Sequence, residues 1–180
     1  MTDINFLTNS DNVDAASQGD RSSEALIDLI ELLFFAYRDF ISDPDAILAK
    51  YGFGRAHHRV IHFVGGNPGI TVSELLSILK ITKQSLSRVL SQLVREGFIT
   101  QTAGTLDRRQ RLLRLTHAGV ELERQLSQSQ RQRIARAYRE AGAEAVEGYR
   151  KVLLGMINAE DRQKVLHRAP APIGEDEDDG

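Results

Sequence analysis

Cysteine is absent from the 180 residues, which excludes disulfide staples, Cys-ligated zinc, iron–sulfur clusters and thiol redox sensing on this chain. No stretch approaches the ~18 uncharged apolar residues of a membrane span. The opening segment, MTDINFLTNSDNVDAASQGD, lacks both the basic and the apolar region of a secretory leader. These absences predict a cytoplasmic protein with no membrane partner. Catalytic signatures are missing as well: there is no GxSxG, no P-loop, no HExxH and no pair of acids in an apolar setting, so neither an enzyme nor a cofactor is expected.

Basic residues are missing from both ends, and that absence changes the meaning of the net charge of -2. Residues 1–20 hold four acids, and residues 169–180 hold five (Glu175, Asp176, Glu177, Asp178 and Asp179). The remaining body keeps 16 acids against all 23 lysines and arginines, so it is about seven charges positive. A potential depends on where charges sit and not only on their sum. Both ends are also too polar to bury enough apolar surface to offset the entropy of ordering. They read as flexible tails, 1–21 and 169–180. The acidic C-terminal run has two readings, a solvating tail or a phosphate mimic that competes for the basic body.

What is present between the tails is mostly helical periodicity, with 41% hydrophobic residues, enough for one core. A helix starting at Ser22 or Ser23 carries Leu26, Ile27, Leu29, Ile30, Leu32, Leu33, Phe34, Phe35, Tyr37, Phe40 and Ile41, and is apolar on nearly every side. A helix covering one core needs only an apolar stripe. The excess implies a second burial partner, most cheaply another copy of the chain, or else a buried central position. Asp43-Pro44 is expected to end this helix and start a short one over residues 45–50. A further helix follows from about Arg55 to Val64, closed by the Gly65-Gly66-Asn67-Pro68-Gly69 break.

From Thr71 the run TVSELLSILKITKQSLSRVLSQLVREG resolves into a helix near Val72–Leu79, a turn through Lys80 and Ile81, and a helix near Lys83–Glu96. Thr82 is its N-cap and Gly97 its stop. Leu86, Val89, Leu90 and Leu93 share one face. The opposite face carries Gln84, Arg88, Ser91 and Arg95, flanked by Lys83, Ser85, Ser87 and Gln92, with no carboxylate until Glu96. Two helices joined by so short a turn form a helix-turn-helix, whose second helix enters the major groove of double-stranded DNA. There Arg88 can read guanine, Gln84 can pair with adenine, and Ser85 and Ser87 allow close approach, with Ser91 on the same face. The plain alternative is a solvated helix face without acids.

The next segment separates the alternatives. Phe98–Thr102 and Gln110–Leu115 read as two strands around a tip containing Gly104, Asp107, Arg108 and Arg109. Such an Arg-tipped hairpin is a wing suited to the minor groove. From Thr82 to Leu115 there are seven basic residues against two acidic. Asp107 is expected to brace a neighbouring arginine, or else simply to form the turn. After Thr116, an N-cap, a long helix runs to Gly142, and Ala145–Ile157 make a closing amphipathic helix.

The segments ITKQSLSRVLSQLVREGFI, DRR and LRLTHAGVEL together resemble the MarR family of bacterial regulators, over about residues 24–158. A second similarity, to a branch often labelled PetP-like, is carried by FFAYRDFISDPDAILAKYGFGRAHHRVIHFVGGNPG and implies a regulator linked to respiratory or photosynthetic genes. The resemblance implies a mainly α fold with a small β-hairpin wing: a winged helix-turn-helix lobe (54–115) with helical dimerisation regions before it (22–53) and after it (116–168). It implies a homodimer on a pseudo-palindromic site, at the nucleoid. It also implies a cavity for a small, often aromatic, anionic effector, with Tyr37, Arg38, His58 and His62 on its walls. His57, His58 and His62 otherwise have metal-like spacing, but no Cys and no carboxylate between Asp45 and Glu74 completes a set, so no metal site is expected. The rival readings are a winged-helix protein-interaction module and a small metal-dependent enzyme built on the three histidines.

Overall fold

Helix formation begins earlier than the composition suggests. The computed structural model describes residues 10–104 and 107–166, and its first helix, α1, runs Ser10–Ala49. Residues 10–21, read from sequence as tail, are therefore helical. A helix already nucleated by the apolar run extends at little cost per residue. The expected break at Asp43-Pro44 does not occur either, since Pro44 lies inside α1. Proline removes the hydrogen bond to the carbonyl four residues back. That carbonyl, on Phe40, instead accepts the Gln130 side-chain amide at 3.4 Å. A residue 90 positions away thus supplies the missing donor.

Helix α2 (Arg55–Gly65) follows, then a two-residue strand β1 (Ile70–Thr71), α3 (Val72–Leu79), α4 (Lys83–Arg95), β2 (Ile99–Ala103), β3 (Arg111–Leu115) and α5 (His117–Ala141). The two expected wing strands are present. They pair antiparallel with Ile99 opposite Leu115 and Ala103 opposite Arg111. Strand β1, which the sequence pattern does not reveal, adds to β3 through Ile70 opposite Leu113, making the order β1-β3-β2. Two residues are too few to show alternation, so only pairing with β3 identifies them as a strand.

Each helix of the helix-turn-helix carries its own start and stop. The Thr71 Oγ1 accepts the Glu74 N–H at 3.2 Å, and the Glu74 carboxylate reaches back to the Thr71 N–H at 2.8 Å. This reciprocal box holds the Glu74 carboxyl below its usual range, chiefly through the Thr71 main-chain bond. The turn places Lys80 at φ +50, left-handed backbone. At the far end of α4 the Phe98 N–H bonds the Leu93 carbonyl and the Gly97 N–H the Val94 carbonyl, with Gly97 at φ +78. This six-to-one pattern needs a left-handed residue that glycine supplies without strain.

The core gathers Leu48, Phe53, Val60, Ile61, Val64, Ile70, Leu75, Leu86, Leu90, Leu93, Ile99 and Leu113, closed by Leu122 and Leu126 from α5. Thr116 starts α5 by accepting the Gly119 N–H at 3.1 Å while donating to the Gly97 carbonyl. A Cβ on Gly119 would lie 2.1 Å from the Phe98 carbonyl oxygen, so only glycine lets α5 sit this close to the exit of α4.

Two compact units divide within α5, residues 1–132 and 133–180. The second holds the end of α5, then α6 (Ala143–Met156) and α7 (Ala159–Leu166), a helix beyond the closing one expected from sequence. Within it the Arg162 guanidinium donates to the Ile157 carbonyl at 3.1 Å, securing the turn between α6 and α7. Thr105, Leu106 and the acidic run 169–180 lie outside the described residues, as do positions 1–9.

Candidate nucleic-acid interface

Burial sorts the two faces of α4 as the spacing required. Leu86, Val89, Leu90 and Leu93 are buried, whereas Lys83, Gln84, Ser87, Arg88, Ser91 and Arg95 are exposed. Among the described residues Lys83, Gln84 and Arg88 have no side-chain partner, so their donors are available; Arg95 instead pairs with Glu96 at 3.0 Å. Ser85 is half-buried and takes part in the cap. Its N–H donates to Thr82 Oγ1 at 3.1 Å, and its Oγ accepts the Thr82 hydroxyl at 2.9 Å. Accepting that bond leaves the Ser85 hydroxyl proton able to donate elsewhere.

At the wing, Asp107, Arg108 and Arg109 are all exposed. The Asp107 carboxylate accepts the backbone N–H of Arg109 at 2.9 Å, and the Gln110 N–H bonds the Asp107 carbonyl at 3.0 Å. This is an Asx-type turn. The brace expected at Asp107 therefore acts on the main chain that carries the arginine, which is the turn-forming alternative and not a contact to a guanidinium. Gly104 closes the tip from the other side: its N–H bonds the Gln110 carbonyl at 3.1 Å, and a Cβ there would lie 2.7 Å from the Asp107 carbonyl.

A cleft of about 230 Å³ lies between α1, α2 and α5, lined by Tyr37, Phe40, Ile41, Asp45, Arg55, His58, Arg59, His62, Phe63 and Gln130. Tyr37, His58 and His62, proposed as effector walls from the resemblance, line it together. Arg38 does not: it pairs with Asp39 at 2.9 Å and lies over the Phe35 ring at 4.8 Å. The cations missed from sequence are Arg55 and Arg59. With His58 and His62 they fall at i, i+3, i+4 and i+7 of α2, a basic stripe that helical spacing could have revealed. Arg55 is bonded to Asp45 at 3.0 Å, and His62 stands 3.7 Å from Glu123, an ion-pair distance. The neighbouring His62 imidazole holds the Glu123 carboxyl below its ordinary range. Burial, reinforced by the nearby His62 and Arg59 and opposed by Asp45 and Glu123, pushes His58 below the usual histidine value. Among the described residues no group of three histidines or acids could hold a metal ion.

The chain that carries this arrangement is similar to known proteins. Residues 51–110 match the model of the MarR family. The HTH-type transcriptional regulator PetP of Rhodobacter capsulatus is 52% identical over 129 residues, 72% of this chain and 78% of that protein. The chain belongs to the MarR family. It is a transcriptional regulator and not an enzyme. Among solved structures, Streptococcus pneumoniae FabT in complex with DNA superposes with a TM-score of 0.65 at 19% identity, covering 79% of this chain and 97% of that one. A mutant MarR from E. coli complexed with operator DNA gives 0.57 at 21% identity, covering 74% and 96%. The mainly α winged fold with its small antiparallel sheet is that of these MarR-family structures. No helix among the described residues is long and apolar enough to cross a membrane.

Proposed function

We propose that this MarR-family regulator acts as a homodimer on a pseudo-palindromic promoter site, with α4 in the major groove and the wing in the minor groove. The carrying observation is the outer face of α4, where Lys83, Gln84, Ser87, Arg88 and Ser91 are exposed and no carboxylate intervenes. Ser85 adds a donor close to the helix start, and the Asx turn at Asp107 stiffens the backbone that projects Arg108 and Arg109. DNA-bound relatives of the same fold support this reading. The second copy is supported by α1, whose Leu26, Leu29, Ile30, Leu32 and Phe34 are more than half exposed in the single chain. Surface of that extent calls for a partner. In the second unit Val152 and Met156 are likewise exposed. The cleft, with aromatic walls from Tyr37, Phe40 and Phe63, cations from Arg55 and Arg59 and the imidazole of His62, suits a small aromatic anion as effector.

The test is a pair of substitutions read at several salt concentrations. Arg88→Ala should cost about 1–3 kcal/mol on a selected duplex and relax the preference at one base pair. Arg108→Ala should weaken binding evenly across sequences and lower the salt slope by about one. Wild-type affinity in both variants would end the reading. If the unmodified protein shows no salt-dependent retention on heparin or duplex DNA, a protein-interaction role for the winged lobe takes its place.

A further inference from the structure

His57 belongs neither to the basic face nor to the cleft, yet it is among the most constrained side chains of the lobe. Its Nδ1 accepts the Gly54 backbone N–H at 3.1 Å. The ring stacks on Phe53, centroids 4.7 Å apart and planes 8° from parallel. Phe53 meets Phe98, at the exit of α4, edge-on at 5.3 Å. A neutral imidazole whose Nδ1 accepts carries its proton on Nε2. That proton is directed at Gln92 Oε1, 3.0 Å away on α4. Gln92 is half-buried, one turn beyond Arg88 and on nearly the same side of the helix.

Val60 and Ile61 of α2 and Val89 and Leu93 of α4 belong to one buried apolar cluster. Apolar contacts are non-directional and tolerate small rotations of one helix on another. A hydrogen bond is directional and does not. The N-terminal end of α4 is already held by the Thr82 cap. We propose that His57, as its Nε2–H tautomer, is a positioning residue for DNA reading, fixing the rotation of α4 through Gln92 and so the presentation of Arg88 and Gln84. This rests on the DNA-reading role proposed above for α4.

The experiment uses a duplex selected from a random pool by the full-length protein, compared with a scrambled duplex of equal composition. His57→Ala and Gln92→Ala should each lower the selected-to-scrambled binding ratio by on the order of three- to tenfold. The double variant should be no worse than the weaker single, because both remove one bond. The salt slope should stay unchanged, since no phosphate contact is lost. His57→Gln, whose amide N–H can reach Gln92, should restore most of the ratio. In the unmodified protein, nitrogen-15 NMR should find Nδ1 bare and Nε2 protonated, with the Nε2–H signal shifting in Gln92→Ala. Losses that add in the double variant, an unchanged ratio in folded variants, or a protonated Nδ1 would overturn the proposal. Should His57→Ala not fold, Gln92→Ala, which keeps the Gly54 bond and the Phe53 stack, carries the test with the NMR measurement. A wild-type protein that selects no sequence would instead defeat the DNA-reading role of α4 itself.

Discussion

Helices α1 and α4 use similar apolar residues to opposite ends. In α4, Leu86 and Leu93 are fully buried, and the exposed residues other than Val94 are polar or basic. Along α1, Ile30 is 67% exposed and Leu29 60%, and burial begins only at Ile41 and Leu48 near its C-terminal end. The same chain thus completes one helix and leaves the other incomplete. A helix whose apolar stripe matches its neighbours needs nothing further. One that is apolar around its circumference has exceeded what its own chain can cover, and this asymmetry separates the lobe proposed to read DNA from the region proposed to pair.

The contrast is sharpest for Leu93→Ala, which removes a fully buried side chain from the self-sufficient helix and should cost about 2–5 kcal/mol in chemical denaturation. A loss below 1 kcal/mol would mean that α4 is not anchored by this face. On the incomplete helix, Ile30→Glu should leave the secondary structure intact but weaken self-association by about 3 kcal/mol, on the order of hundredfold, in sedimentation equilibrium. Unchanged association would remove α1 from the proposed dimer. Thr82→Ala deletes the cap of α4 and should lower stability by about 1 kcal/mol, with weaker DNA binding following from a frayed helix start; equal stability would show that the cap is dispensable.

The smallest effect concerns pH, at and beside the cleft between α1, α2 and α5. His58 has a lowered pKa in the folded chain, so the unfolded chain takes up its proton first as pH falls through 6.5. Stability should therefore decline from neutral pH downward until the folded group also protonates. Glu123 has a depressed value, so its contribution is present above about 4.5 and is lost as pH falls through the folded value. In thermal melts between pH 8 and pH 3, His58→Gln should flatten the upper part of the decline and Glu123→Gln the lower part. Identical pH profiles for both variants and the parent would exclude the cleft as their source.

Much of the lobe is legible in the sequence, for identifiable reasons. Thr82, Gly97 and Thr116 mark helix ends because capping and left-handed stops act within a few residues. The faces of α4 follow from 100° spacing alone. Two of the misses are places where a distant residue intervened. Pro44 should break a helix on local grounds, but the Gln130 amide satisfies the carbonyl it frees. Ile70 and Thr71 form a strand only because Leu112 and Leu113 lie beside them. Arg38 stands one position from Tyr37, yet a helix turns adjacent residues by 100°, so Tyr37 lines the cleft while Arg38 meets Asp39 and Phe35.

The opening absence of cysteine and the concentration of basic charge between Thr82 and Leu115 were decided by composition and spacing alone, and with them the winged helix-turn-helix. Capping, periodicity and charge are local or additive properties, so a sequence displays them directly. Tertiary structure alone decided that α1 continues through Pro44, that Arg55 and Arg59 join His58 and His62 at one cleft, and that His57 reaches Gln92 across 35 positions. Those depend on which groups the packed core brings within hydrogen-bond distance, and directional contacts between remote residues leave no periodic trace in the chain.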